Sequence, residues 1–299
     1  IGIIRVPLLP DHIVRSAMPL TIYRDNTHPD RLNVSPLLGR TVAVLGYGNQ
    51  GHAHALNLRD SGVRVLVGAR SGSSSGSRAS AAGFDVRPHR AAAAEADLII
   101  MALPDEVQCE FYRSELHDSL REGAILGFIH GYAVHFGGLR ARDDLGVVLV
   151  APKGPGTLLR SNFEQSLGLP ALFAVEQEST GGEAESIGLA WAAGIGSGRA
   201  GVVRTTFAHE TETDLFGEQA VLCGGMSALI SAAFELLVEA GYPEELAYIE
   251  CCHEVKQVAD LVYARGLRGM FEAISNTAEF GAYEAGPKLI DEAMRKKLR

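Results

Sequence analysis

Residues 41–60 decide the fold of this chain: Thr-Val-Ala-Val-Leu-Gly-Tyr-Gly-Asn-Gln-Gly-His-Ala-His-Ala-Leu-Asn-Leu-Arg-Asp. The first five residues form an unbroken apolar run, which is typical of a buried strand in a parallel sheet. A Gly-x-Gly-x-x-Gly pattern and then a helical pattern follow directly. A tight turn, a close backbone approach and a helix N-terminus together suit a pyrophosphate. The stretch predicts a dinucleotide site in a Rossmann-type domain, with a structural glycine turn as the alternative; its loop residues are Gly46, Tyr47, Gly48, Asn49, Gln50 and Gly51.

The end of the next predicted strand, residues 63–68, indicates which dinucleotide is bound. An NAD site usually carries an acidic residue there, which binds the ribose hydroxyls. In this chain Ala69 and Arg70 follow the strand, and Ser73 and Ser75 lie just beyond. Hydroxyls and a guanidinium suit a 2′-phosphate, so the sequence favours NADPH. A flexible Ser/Gly loop over residues 71–77 is the alternative, and the two readings are compatible.

Strand and helix patterns continue to alternate up to about residue 205. Apolar strand patterns occupy residues 97–103, 124–129, 147–151 and 171–175. This alternation predicts a parallel α/β sheet, which binds ligands at the carboxyl ends of its strands. Polar groups follow two of those ends, His130 after residues 124–129 and Lys153 after residues 147–151. Their matching placement makes both residues candidates for chemistry.

Beyond Thr206 the strand signals stop, and residues 209–223, 226–240, 243–265 and 287–298 are predicted helices. We therefore expect an N-terminal extension over residues 1–19, a nucleotide-binding domain over 20–205 and an all-helical domain over 206–299. The chain has 299 residues and a formal charge of −9, which disfavours nucleic acid as a partner. We expect no membrane span, because no apolar run reaches about eighteen residues. Without a signal-peptide pattern or a disulfide framework, a cytoplasmic location is expected.

Four carboxylates in the helical half form two pairs with i, i+4 spacing, namely Asp214 with Glu218 and Glu250 with Glu254. On a helix each pair shares one face, where like charges repel unless a cation lies between them. A solvated acidic helix start is the alternative for the first pair. The second pair lies in a largely apolar segment, and carboxylates in such a segment are rarely buried without a partner. Because only oxygen ligands recur, two Mg²⁺ ions are favoured over iron, despite a Glu-x-x-His spacing at Glu250 and His253.

Taken together, these blocks resemble ketol-acid reductoisomerase (acetohydroxy acid isomeroreductase) of the short-chain class. The resemblance covers residues 46–55, 130–136, 151–156, 210–225, 250–254 and 274–279, in order and spacing. It implies a Rossmann domain followed by an all-helical, knotted domain, with NADPH and two Mg²⁺ ions as cofactors. It also implies at least a homodimer, since the family completes each metal site from the partner subunit. The implied reaction is alkyl migration in a 2-acetohydroxy acid followed by reduction, in branched-chain amino acid biosynthesis.

The resemblance also assigns roles to single residues. Asp214 would bridge both metals, Glu218 would bind one, and Glu250 and Glu254 would complete the site. His130 and Lys153 would support the polar network, and Ser275 would contact the substrate carboxylate. The cofactor site would add Arg70, Ser73, Ser75 and Gly156 to the glycine loop. Departures from the family pattern occur at Ala133, Thr157, Cys252 and residues 271–273, all outside the metal ligands.

Two other functions remain open at this stage. One is a paralogue from a specialised pathway, acting on another 2-hydroxy-3-keto acid or catalysing only the reduction. The other is a dinucleotide-binding sensor without turnover. The intact carboxylates argue against the sensor, because four clustered acids repel each other without a metal.

Overall fold

The computed structural model describes residues 20–25 and 32–298. The predicted N-terminal extension, residues 1–19, lies outside the described residues. The described chain divides into two compact units, one ending at Thr211 and one beginning at Glu212. The structure confirms the predicted fold class, since the first unit carries a mainly parallel sheet and the second is built from helices.

The first unit contains a nine-stranded sheet with the order β1-β9-β8-β7-β6-β5-β2-β3-β4. Strands β2 to β7 pair in parallel, whereas β8 is antiparallel to β7 and β1 is antiparallel to β9. The strands are Ile22–Tyr23 (β1), Thr41–Leu45 (β2), Arg64–Gly68 (β3), Asp85–Arg87 (β4), Leu98–Met101 (β5), Ile125–Phe128 (β6), Gly146–Pro152 (β7), Ala171–Gln177 (β8) and Val202–Arg204 (β9). The chain builds outward from β2 to β4 and then returns to place β5 on the other side of β2. This reversal is the point where doubly wound sheets open a ligand crevice.

Helices cover both faces of this sheet, and the apolar side chains of its strands fill a core on each side. They are Asn49–Asp60 (α1), Ser74–Ala81 (α2), His89–Glu95 (α3), Asp105–Phe111 (α4), Tyr132–His135 (α5), Gly156–Glu164 (α6) and Ala184–Gly194 (α7). A π-helical turn over Tyr112–Leu116 extends α4. The interpretation of residues 71–77 as a loop is wrong from Ser74 onward. The hydroxyl of Ser73 accepts a hydrogen bond from the N–H of Gly76 and so begins α2 there.

A buried polar pair joins α1 to α7. Trp191 Nε1 donates to Nδ1 of His54 over 2.9 Å, and both side chains are fully buried. Burial lowers the pKa of His54 to about 3, because the charged imidazolium would be desolvated. His54 is therefore a neutral core residue, and it fixes the helix that follows the glycine loop.

The second unit consists of helices. Helix α8 (Phe207–Gly217) leads into it and is followed by Gly225–Glu239 (α9), Glu244–Tyr248 (α10), Glu254–Phe271 (α11), Asn276–Leu289 (α12) and Glu292–Leu298 (α13). Two π-helical turns, Glu218–Leu222 and Ile249–His253, continue α8 and α10. The predicted helix over residues 287–298 is wrong at its start, because α12 runs through Pro287 and a break at residues 290–291 precedes α13.

One helical stretch of the described chain, Phe207–Glu239, is long and apolar enough to cross a membrane by length and composition alone. The expectation that no stretch reaches this length is therefore wrong, because residues 220–238 carry a single charged side chain, Glu235. Such a stretch is weak evidence for a span, since apolar helices that pack against protein pass the same test. The most apolar 18-residue segment of this helical stretch has no buried residue within the single chain.

Candidate active site

The glycine loop connects β2 to α1 in the form that a dinucleotide requires. Gly46 has φ of 102°, and a Cβ there would lie 2.5 Å from the carbonyl oxygen of Ala102. Gly48 precedes α1, and a Cβ there would meet nothing within 4 Å. Among the described residues no side chain caps α1, so the first N–H groups of this helix need an acceptor from elsewhere. An anion such as pyrophosphate fits this arrangement.

A cleft of about 1230 Å³ opens at the carboxyl ends of the central strands. It lies where the strand order reverses between β2 and β5, and its volume is ample for a dinucleotide. Its lining includes Gly46, Gln50, Arg70, Ser75, Ala102 and His130. The glycine loop and the predicted 2′-phosphate loop therefore open onto one cleft.

The predicted 2′-phosphate residues lie between β3 and α2. Arg70 is exposed and lines the cleft, and Ser75 is half-buried beside it. Ser73 has a local structural task as well, because its hydroxyl donates to the Arg70 carbonyl over 2.7 Å and caps α2. Arg78 donates to the Tyr47 carbonyl over 2.9 Å and so joins α2 to the glycine loop. Tyr47 itself is buried, with its ring edge-on to that of His52.

A buried carboxylate, Glu210, brings the two strand-end candidates together. Glu210 is 1% exposed and extends from α8. Lys153 Nζ donates to its Oε1 over 2.7 Å, and His130 Nδ1 lies 3.1 Å from its Oε2. The Gly131 N–H also donates to Oε2, over 2.9 Å. These contacts join the ends of β6 and β7. His130 and Lys153, which were predicted to lie at one edge of the sheet, therefore share Glu210 as a hydrogen-bond partner.

Charge and hydrogen bonding determine the protonation state of Glu210. Burial alone raises its pKa, but the hydrogen bond from His130 and the charge of Lys153 outweigh this and leave the pKa below its usual value. Glu210 is therefore ionised near neutral pH and accepts hydrogen bonds only. His130 then carries a proton on Nδ1 and donates it to Glu210, and the residue also lines the cleft.

Sequence reasoning did not select Glu210 as a site residue. Glu210 lies at the start of a predicted helix, a position where carboxylates are common. Its partners lie 57 and 80 residues away in the chain. A glutamate that follows apolar Phe207 by three residues and so shares its buried face was the local signal available.

The predicted metal ligands lie in the two π-helical turns of the second unit or in the α-helices that adjoin them. Asp214 belongs to α8 and Glu218 begins the first π turn, while Glu250 lies in the second π turn and Glu254 begins α11. Such turns often mark functional sites. Within the single chain Glu250 and Glu254 are exposed. The donors are carboxylate oxygens, which fit Mg²⁺.

Two further predicted residues lie at helix starts. Ser275 is exposed, and its hydroxyl accepts from the Ala278 N–H over 3.2 Å as the cap of α12. Gly156 begins α6, directly after the turn that carries Lys153. The substrate contact predicted for Ser275 remains a prediction.

Comparisons with known proteins agree on one family. Residues 36–201 match the family model described as acetohydroxy acid isomeroreductase, NADPH-binding domain. Residues 207–299 match the model of the ketol-acid reductoisomerase C-terminal domain. The solved structure of an NADH-preferring ketol-acid reductoisomerase from an uncultured archean is 41% identical, with a TM-score of 0.88, and the match covers 93% of this chain and 84% of that one.

More distant structures share the fold alone. A semialdehyde dehydrogenase NAD-binding protein from Cupriavidus necator is 20% identical, with a TM-score of 0.62, over 87% of this chain and 95% of that one. A pyrroline-5-carboxylate reductase from Coxiella burnetii is 17% identical, with a TM-score of 0.58, over 87% and 94%. Because the two family models span most of the chain and the first structure is 41% identical, this protein belongs to the ketol-acid reductoisomerase family.

Proposed function

We propose that this chain converts 2-acetolactate or 2-aceto-2-hydroxybutyrate into the corresponding 2,3-dihydroxy acid, the reaction of its family in branched-chain amino acid biosynthesis. The observation that carries the proposal is the Lys153–Glu210–His130 network. It lies at the strand ends beside a dinucleotide cleft, where a hydride donor and a small polar substrate would meet.

The proposed cofactors are NADPH in the cleft and two Mg²⁺ ions held by Asp214, Glu218, Glu250 and Glu254. When bound, the metal ions would polarise the hydroxyl and carbonyl oxygens of the substrate, and NADPH would supply the hydride. The fit rests on the open space above Gly48 for the pyrophosphate and on the all-carboxylate donor set for the metals.

Lys153 and His130 are proposed to serve the oxygens of the substrate during the rearrangement. As the alkyl group moves from C2 to C3, the C2 hydroxyl loses its proton and becomes a carbonyl, while the C3 carbonyl oxygen gains a proton. A cationic donor and a ring nitrogen held by one buried carboxylate can stabilise and exchange that proton. Glu210 keeps both side chains in place, and its own burial excludes water from their anchor.

The direct test is NADPH oxidation at saturating Mg²⁺ with two substrates in parallel, 2-acetolactate and the already rearranged 3-hydroxy-3-methyl-2-oxobutanoate. Turnover of both supports the complete reaction. Turnover of the second alone means a reductase without the migration step. If neither is turned over, the proposed substrate class is wrong and a paralogue acting on another 2-hydroxy-3-keto acid takes its place.

The preference for NADPH is a further part of the proposal. It rests on Arg70, the hydroxyl of Ser75 and the absence of an acid directly after β3. The archaeal relative is described as NADH-preferring, so the family holds both preferences. Replacing Ser75 with aspartate places a negative charge beside the 2′-phosphate. We expect the NADPH-to-NADH ratio of kcat/KM to fall by about ten- to a hundredfold.

Steady-state kinetics with both dinucleotides measures that ratio. Ser166→Asp is the matched control, because it adds the same charge at an exposed turn after α6. An unchanged ratio in Ser75→Asp would mean that this loop does not bind the 2′-phosphate.

We also propose that the active form is a homodimer or a larger assembly with a shared metal site, located in the cytoplasm. Large apolar side chains of the second unit are exposed in the single chain, among them Val221, Leu229, Leu236 and Phe280 at 58 to 70%. Exposed apolar surface of this extent is typical of an interface. A second copy would cover this surface, including the apolar face of α9, and bring the two carboxylate pairs together.

A further inference from the structure

Two residues of the glycine loop contact the turn that carries Lys153. Gln50 Nε2 donates to the Gly154 carbonyl over 2.9 Å. The Thr157 N–H donates to Asn49 Oδ1 over 3.2 Å. The dinucleotide loop is therefore bonded to the backbone on both sides of Pro155, directly after Lys153.

The contact at Asn49 completes the N-terminus of α6. That helix follows Pro155, which provides no side-chain cap, so its first N–H groups need an acceptor from elsewhere. Asn49 belongs to another element and supplies it. The two backbones also touch, since a Cβ at Gly156 would lie 2.1 Å from the Asn49 carbonyl oxygen. Glycine at position 156 thus allows the cofactor loop and this turn to pack without a gap.

The contact at Gln50 has a defined direction. Its side chain is half-buried in the lining of the cleft, and its buried Oε1 atom has no hydrogen-bond partner among the residues that the structure describes. Reversing the amide would set Oε1 against the Gly154 carbonyl oxygen, so that two acceptors would face each other. The donated bond to Gly154 is therefore what fixes this side chain.

Lys153 is held from three directions. Its N–H donates to the Pro170 carbonyl over 2.8 Å, its ammonium is bonded to Glu210, and the next carbonyl is held by Gln50. A shift of the glycine loop would move that carbonyl, and with it the base of the Lys153 side chain. A misplacement of about 1 Å at a reacting group can lower the rate about a hundredfold.

We propose that Gln50 and Asn49 are positioning residues that transmit occupancy of the dinucleotide loop to Lys153, so that cofactor binding tightens the placement of its ammonium group. The inference rests on the proposed role of Lys153 in the reaction. A residue that only contacts the cofactor would behave differently, because its loss would weaken NADPH binding and leave kcat unchanged.

The kinetic test uses Gln50→Met, which keeps the length of the side chain and removes the donor. We expect kcat to fall about tenfold while the Kd for NADPH stays within about threefold. In a Lys153→Met background the same change should have almost no further effect, because Gln50 acts through Lys153. Asn49→Asp, which retains the acceptor, should keep more activity than Asn49→Leu. Gln165→Met, an exposed glutamine after α6, is the control.

A readout independent of turnover is hydrogen exchange of the peptide over residues 156–165. NADPH should slow exchange of this peptide in the wild type, and Gln50→Met should lose that protection while still binding NADPH. The inference is overturned by equal protection in both proteins, by a raised Kd with unchanged kcat, or by independent losses in the double variant. A wild type that shows NADPH-dependent protection but no turnover refutes the proposed function alone.

Discussion

Replacing Glu210 with glutamine is expected to lower kcat by about a hundredfold or more and to leave NADPH affinity nearly unchanged. The carboxylate is buried and accepts from Lys153, His130 and the Gly131 N–H. A neutral amide cannot balance the Lys153 ammonium, and its NH₂ group meets donors instead of acceptors. None of these contacts to Glu210 involves a residue of the glycine loop, so cofactor binding should persist.

Steady-state kinetics and a fluorescence titration of NADPH measure the two effects. Loss of this buried charge also lowers the free energy of unfolding, by less than the loss of about 3–5 kcal/mol for a fully buried pair, because the Lys153 side chain is 31% exposed. Circular dichroism of the purified variant is therefore needed to show that it is folded. Glu122→Gln, at an exposed turn before β6, provides the matched control. A folded Glu210→Gln protein with wild-type kcat would mean that this network takes no part in the chemistry.

The dinucleotide half of the site could be predicted from sequence because its signals are local. An apolar strand, a glycine pattern and a helix stand next to one another, and each constrains only its own neighbours. The same local reasoning placed His130 and Lys153 at strand ends, since the carboxyl ends of parallel strands share an edge. It could not show which buried group joins them, because Glu210 reaches them through tertiary packing.

Errors in the predicted elements have equally local causes. Ser73 and its neighbours resemble a flexible loop by composition, yet a serine is also a good helix cap, and the alanines that follow favour α2. The short strands β1, β4 and β9 contain two or three residues, too few for any periodic pattern. Helix α12 contains Pro287 and two glycines, residues that normally indicate a helix end.

The environment of the second carboxylate pair could not be predicted from one chain. Glu250 and Glu254 stand among apolar residues, which suggests burial, but in the single chain many of those apolar residues are themselves exposed. The apolar composition indicates that this surface is covered, but it does not identify the molecule that covers it. This is the reason why the proposed metal site and the proposed dimer must be tested together.

Asp214→Asn is the variant that tests them, and it is expected to lower isomeroreductase activity by about a thousandfold or more while NADPH still binds. An amide in place of the carboxylate removes one negative charge from the proposed two-metal site. Glu212→Gln, on the same helix two residues earlier, is the control. Loss of NADPH affinity in Asp214→Asn would contradict the division into separate cofactor and metal sites.

A metal site shared between two subunits predicts a further measurable result for Asp214→Asn. Glu254→Gln should also be inactive, yet co-expressing it with Asp214→Asn should restore activity. In a mixed dimer one site combines both substitutions, and the other combines two intact halves. Random pairing makes half of the dimers mixed with one intact site each, so about one quarter of wild-type activity should return. The inactivity of each single variant does not by itself show why activity is lost. Recovery of activity in mixed dimers does, because it occurs only if Asp214 and Glu254 of one functional site come from different chains. Two inactive proteins that stay inactive together, in dimers shown to be mixed, would place the whole metal site within one subunit.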